Sequence, residues 1–401
     1  MPKLILTKLS QFLKKSRLAG FFVFVCLLGC QPSSPTTEQQ LLAKAQTDAV
    51  AARTVAQQRL ASNELEASLQ WWRHAAKLGA SDAFLHAIQL QQRLEGPLAT
   101  AHWLQQQLVE QPQLTADLPS SILMELGLWP ESLDNMSVAW QSPAGCRLTL
   151  QPVVTQAEGE RSWHSLQQAW QADPQLATLP VCFKPLLRIT STALNCSEVT
   201  VARIHCDYQA LSDAVLAGDF QQLLVIAGRG VASYNNGIVQ LPAQANLALL
   251  RHEFLHIAGF LDEYALSAIS ARAVCRAGRV APNLLIGNSP ELVARYQQQY
   301  AIDNRTDLAL TPVDTCRAVN MQAYRPIAAL NPMRHLEAPL PPFYWQLLQQ
   351  QLAQSEQLMP VQYYFAFLAR QQQAWQHWQS YMQAAAAFGY PAAIAALEVE
   401  G

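Results

Sequence analysis

Apolar residues recur at three- and four-residue spacing from residue 38 to residue 125, in a background rich in Gln, Ala and Leu. That period predicts helices. The pattern changes near residue 130. Leu223-Leu224-Val225-Ile226-Ala227 is an unbroken apolar run closed by Gly228, and it predicts a buried strand. Tyr234-Asn235-Asn236-Gly237 is a turn signal, and Ile238-Val239-Gln240-Leu241 before Pro242 predicts a second strand. Residues 243–259 predict a helix with one buried face, so the order is strand, turn, strand, helix. After Pro341-Pro342 helical patterning returns and runs to the end. The expected fold class is α+β. A small mixed sheet and its helix occupy 130–340, with helical regions at 41–127 and 341–401.

The two helical flanks share a pattern. Trp71, Ala75-Ala76, Leu78-Gly79 and Ala83 match Tyr381, Ala385-Ala386, Phe388-Gly389 and Ala393 position for position. This resembles short tetratricopeptide-like repeats, in which small residues let helices pack closely and Gly makes the turn. The resemblance implies a surface on which a protein partner can dock.

The N-terminus has a different logic. Lys3, Lys8, Lys14, Lys15 and Arg17 precede an apolar stretch that ends at Cys30, with no acidic residue among them. A basic start and a short apolar run make an export signal, too short to span a bilayer comfortably. Leu27-Leu28-Gly29-Cys30 resembles the lipobox of bacterial lipoproteins. That resemblance implies cleavage of residues 1–29, lipidation of Cys30 and a membrane anchor. Residues 30–40, rich in Pro, Ser and Thr, then serve as a tether. Gln31 in place of Asp implies the outer membrane of the cell envelope.

Composition narrows the partners. The formal charge is −2, and the basic residues of the leader account for part of its positive side, so nothing suggests nucleic acid. Half the residues are hydrophobic, which excludes a disordered chain. Six cysteines lie beyond the leader: Cys146, Cys182, Cys196, Cys206, Cys275 and Cys316. An even number in an exported chain predicts disulfides, and fifteen pairings are open. Pairing neighbours gives Cys146–Cys182, Cys196–Cys206 and Cys275–Cys316.

The chemistry concentrates at His252-Glu253-Phe254-Leu255-His256. HExxH on a helix sets two imidazoles one turn apart on one face, where both can ligate one Zn2+. Glu253 beside them suits a general base. Gly259 follows three residues after His256 and Asp262 three after that. Gly permits a sharp exit from the helix, which returns Asp262 as a third ligand and leaves a fourth position open. Glu263 is an alternative ligand, or a residue orienting a ligand histidine. Tyr264 is expected to pack under the helix. Asn331-Pro332-Met333-Arg334-His335, further on, suits a tight turn; metzincin peptidases carry such a Met-turn under their zinc.

Two segments carry a more specific resemblance. His252 through Asp262-Glu263-Tyr264, and Tyr324-Arg325-Pro326 followed by Pro332-Met333-Arg334, are similar to the IgA-peptidase-like metallopeptidase family. The family usually has Gly where Leu255 stands, and one residue is missing here before Asp-Glu-Tyr. The resemblance spans about residues 220–336. It implies a metzincin-like zinc peptidase hydrolysing peptide bonds of a peptide or protein substrate. Zn2+ is held by His252, His256 and Asp262, Glu253 is the general base, and Met333 is structural. Tyr324 and His335 are candidate donors to the oxyanion. Arg325 and Arg334 are expected in structural ion pairs. Two other readings stay open: a non-catalytic lipoprotein scaffold acting through its helical flanks, and a zinc amidase acting on cell-wall peptides.

Overall fold

The computed structural model describes residues 36–115, 118–130 and 145–400. The expectations for residues 1–35, among them the leader, Cys30 and most of the tether, lie outside the described residues. Among the described residues no helix is long and apolar enough to cross a membrane.

The chain divides into two compact units, one reaching to Leu90 and one starting at Gln91. In the first, helices α1 (Thr37–Ala45), α2 (Ala49–Ala61) and α3 (Leu65–Lys77) follow in succession, and α4 (Ala83–Glu95) crosses into the second unit. Buried Ala51, Ala52 and Ala56 of α2, with Ala75 and Ala76 of α3, supply small contact surfaces. Ser68 donates to the Ala56 carbonyl at 2.8 Å, which ties the two helices together.

The second unit mixes helices and strands. It opens with α5 (Pro97–Glu110), α6 (Pro112–Thr115) and α7 (Ser120–Leu126). The main sheet runs β2 (Val181–Phe183), β1 (Leu148–Val154), β5 (Gln222–Ile226), β8 (Ile238–Leu241) and β7 (Ser233–Asn235), with β3 (Leu187–Arg188) also on β1. All pairings are parallel except β7 on β8. The turn expected from Asn-Gly is the β7–β8 hairpin, where Asn236 and Gly237 have φ of 53° and 81°. Both central residues are left-handed, as a two-residue hairpin requires. Strand β5 pairs with β8 directly and in parallel. The hairpin strand is β7, after a short β6 (Arg229–Val231) that joins β4 (Glu198–Arg203) in a separate ribbon.

Strand β5 is buried along its whole length, because both faces of the sheet are covered. Leu148, Leu150, Leu224, Ile226 and Val239 point to one side, against Trp163, Leu166 and Trp170 of α8 (Ala157–Ala172) and against Leu250, Phe254 and Leu255 of α11 (Leu247–Ile257). Two short helices, α9 (Ser191–Leu194) and α10 (Ser212–Ala217), lie between these in sequence. Val153, Leu223, Val225 and Ile238 point to the other side. There Phe365 and Ala366 of α15 (Val361–Gln371) and Trp378, Tyr381 and Met382 of α16 (Trp375–Ala387) meet them. The residues after 341, which the sequence pattern sets apart as a flank, therefore complete this core. The remaining helices are α12 (Ala268–Val274), α13 (Pro290–Gln299), α14 (Pro342–Ala353) and α17 (Pro391–Glu400). A small antiparallel sheet runs β11 (Thr311–Val313), β12 (Ala323–Arg325), β10 (Leu284–Ile286) and β9 (Val280–Ala281), all after α12 in sequence.

The repeat-like pattern has one local geometry in both places. Helix α3 ends with Gly79 donating to the Ala76 carbonyl at 3.0 Å and Ala80 to Ala75 at 3.0 Å. Helix α16 ends with Gly389 donating to Ala386 at 2.8 Å and Tyr390 to Ala385 at 3.4 Å. The three disulfides are Cys146–Cys182, Cys196–Cys206 and Cys275–Cys316, the nearest-neighbour set.

Arg188 forks onto Glu160 of α8 through Nε and Nη2. Burial works against the Glu160 anion, but Arg188 outweighs it and holds the carboxyl below its ordinary range. A depressed folded-state pKa contributes stability above the unfolded value and loses it as pH falls through the folded one. The stability gap between the parent and Arg188→Met is therefore expected to be full above about pH 5 and to shrink toward about pH 3. Thermal midpoints measured across that window check it; a gap that widens on acidification refutes it.

Candidate metal centre

Helix α11 begins where Asn246 accepts the Leu249 amide at 2.9 Å. Its apolar face enters the core and carries His252 and Glu253 inward with it; both are buried. The helix stops at Ile257. Gly259 takes φ +82°, its amide donates to the His256 carbonyl at 3.0 Å, and the Phe260 amide donates to Leu255 at 3.2 Å. This pair of bonds is the Schellman ending, and its left-handed residue favours Gly. A Cβ at Gly259 would meet nothing nearer than 3.7 Å, so the backbone conformation, not space, selects glycine.

The bend brings Asp262 back to the histidines. Asp262 Oδ1 lies 3.2 Å from His252 Nε2 and 3.3 Å from His256 Nε2. The three ligand atoms fall within 4.8 Å of one another. His252 Nδ1 faces the Pro332 carbonyl at 2.9 Å, and His256 Nδ1 faces the Phe260 carbonyl at 2.8 Å. A carbonyl only accepts, so each Nδ1 carries a hydrogen, and in the neutral ring each Nε2 presents a lone pair. Asp262 Oδ1 is buried and no donor meets it at hydrogen-bond geometry. Three electron-pair donors thus converge with nothing of the protein between them. Two imidazoles and a carboxylate suit zinc, and the orphaned oxygen is what a cation would satisfy. Burial acts to raise the Asp262 carboxyl; with no metal between them, the two histidines in their protonated form outweigh it and hold the carboxyl well below the usual carboxylate range.

Glu253 Oε2 is also buried without a hydrogen-bond partner. Burial pushes its carboxyl up, more than the two histidines pull it down. A carboxylate with a raised pKa beside a candidate metal position is suited to moving a proton.

Met333 is fully buried. Asn331 shapes its turn: its side-chain oxygen accepts the Met333 amide at 2.9 Å, and its carbonyl accepts the His335 amide at 3.1 Å. The same turn supplies the Pro332 carbonyl that orients His252. Glu263, the alternative ligand, points the other way and is fully buried. It accepts from Tyr344 at 2.6 Å, Asn331 at 2.8 Å, Asn283 at 3.0 Å and Arg325 at 3.4 Å, while its amide donates to the Met333 carbonyl at 3.0 Å. It is a strut between the bend and the Met333 turn. Arg325 accordingly sits in a buried ion pair, and Arg334 reaches Asp314 at 3.6 Å.

The two expected oxyanion donors make no hydrogen bond to this group. Tyr324 lies in the small sheet opposite Leu285, and His335 is exposed. Among the described residues neither side chain hydrogen-bonds to Glu253, His252, His256 or Asp262. Tyr264, expected under the helix, is instead about half exposed (45%) and its hydroxyl stands against the Asp262 carboxylate. Burial and the charges of Asp262 and Glu253 raise the phenol well above its ordinary value. The missed signal is alternation: in non-helical chain, residues two apart share a side, so Tyr264 follows Asp262 while Glu263 faces the core.

Compared with models of known protein families and with curated protein sequences, the chain matches none.

Proposed function

We propose that this protein is a zinc-dependent metallopeptidase that hydrolyses peptide bonds, with a metzincin-like catalytic unit resembling the IgA-peptidase-like family. The observation that carries the reading is the convergence of His252 Nε2, His256 Nε2 and Asp262 Oδ1 beside a buried, unpartnered Glu253 oxygen. A scaffold that only bound partners would gain nothing from burying such a carboxylate, which costs stability unless paired.

His252, His256 and Asp262 would hold the metal. Bound zinc supplies Lewis acidity, polarising a carbonyl and making water more acidic. Glu253 takes the proton of the attacking water and returns it to the leaving amine. Tyr264 offers a hydroxyl to the charge that develops on the carbonyl oxygen. In the same reading, Cys30 carries the lipid anchor that keeps the enzyme at the outer membrane.

The test uses the full chain with a complex peptide mixture, following new termini by mass spectrometry. A chelator is expected to abolish cleavage, and stoichiometric Zn2+ to restore it. Cleavage that persists after the metal is removed would sink the reading; cleavage of cell-wall fragments but of no peptide would favour the amidase.

A further inference from the structure

From residue 264 to residue 290 the chain carries three arginines, Arg272, Arg276 and Arg279, and no acidic residue. The fold gathers them. Arg276 and Arg279 end a four-residue turn, closed by the Arg279 amide donating to the Arg276 carbonyl at 3.0 Å, with Gly278 at φ +74° in its third position. The turn is pinned to β10: Gly278 donates to the Ile286 carbonyl at 3.0 Å, and Ile286 to the Arg279 carbonyl at 2.9 Å. Arg295 of α13 joins it through a hydrogen bond from Nη2 to the Gly278 carbonyl. Arg279 Nη1 is held by the Val274 carbonyl at 2.8 Å, and the Cys275–Cys316 disulfide fixes the chain just before Arg276. Ala273, Arg276, Ala277, Gly278 and Arg279 line one open hollow. All four arginines are exposed, and among the described residues none of them ion-pairs. Burial and the Arg276 charge both lower the Arg279 pKa, the direction expected where no anion compensates.

The same patch has an apolar tip. Ile269 stands three residues before Arg272, on the same side of α12, and is 82% exposed. Guanidiniums that hold phosphate groups, beside an apolar side chain that enters the acyl layer, suit the surface of an anionic bilayer. A nucleic acid would use the arginines and leave Ile269 in water. We propose that Ile269, Arg272, Arg276, Arg279 and Arg295 dock the folded protein on anionic phospholipid headgroups. This docking is separate from the anchor expected at Cys30 and independent of peptide hydrolysis. It sets which side of the protein meets the membrane.

The experiment mixes the full chain with vesicles of phosphatidylcholine alone, or of phosphatidylcholine with phosphatidylglycerol, and sediments them. The parent is expected to partition more strongly onto the anionic vesicles. Arg272→Gln combined with Arg276→Gln is expected to lower that anionic partition about twenty-five-fold, at about fivefold for each charge, and to leave the neutral one unchanged. Both side chains are exposed and, among the described residues, make no hydrogen bond within the protein, so the fold stands without them. The basic leader is common to parent and variant and drops out of the comparison. Ile269→Ser is expected to weaken anionic binding severalfold on its own. Hydrogen exchange across residues 268–279 is expected to slow when anionic vesicles are added. A double variant that keeps the parent's anionic preference overturns the proposal. If Ile269→Ser binds like the parent while the arginine variant does not, the patch is a general anion site and membrane docking is overturned.

Discussion

Glu253→Gln is expected to bind zinc as the parent does and to lose about three orders of magnitude in kcat/KM against peptides. The substitution keeps the size of a buried side chain. It leaves His252 and His256 on their backbone anchors at Pro332 and Phe260. What it removes is a group able to accept a proton. Glu253 suits that task because burial lifts its carboxyl and no protein donor is spent on Oε2. Metal content after dialysis and initial rates on one peptide, measured on the same sample, separate binding from chemistry. A variant with full zinc content and more than about a tenth of parental activity would remove Glu253 from the mechanism.

Glu263→Ala should be the most destabilising change near the site, by about 3–5 kcal/mol. The carboxylate is fully buried and accepts from Tyr344, Asn331, Asn283 and Arg325. Removing it strands a buried guanidinium and three polar groups, and a charge left unpaired in the interior costs more than the pair contributes. The effect should reach the metal. Asn331 shapes the turn whose Pro332 carbonyl holds His252, and the Glu263 amide ties Asp262's own segment to Met333. Urea unfolding gives the stability change, and zinc titration of the folded fraction is expected to show weaker binding. A loss under about 1 kcal/mol would mean that Glu263 is not the strut described.

The two carboxylates show what a sequence discloses. His252, Glu253, His256 and Asp262 were legible because one helical turn and one glycine bend bring them together, and both are local geometry. The helix ending at Gly259 follows from spacing alone. The Pro332 carbonyl that fixes the His252 tautomer was not legible, because a backbone oxygen has no residue signature. Tyr264 was misread because it adjoins a residue that faces inward, and the alternation between them shows only once the chain is known to be extended. The ribbon of β4 and β6 escaped notice because β6 has three residues, too few for a pattern. At larger scale, the unbroken apolar run of β5 did announce a strand covered on both sides. The amphipathic helices near the C-terminus did not announce that they are the cover.

That cover sets the timetable of biogenesis. The face formed by Leu223, Val225 and Ile238 is sealed by Phe365, Ala366, Trp378 and Tyr381, all drawn from the last part of the chain. A chain made only as far as residue 360 cannot close this face of the core, however complete the residues around His252 already are. The nascent protein keeps that face of the sheet open until residues 361–385 have emerged and folded.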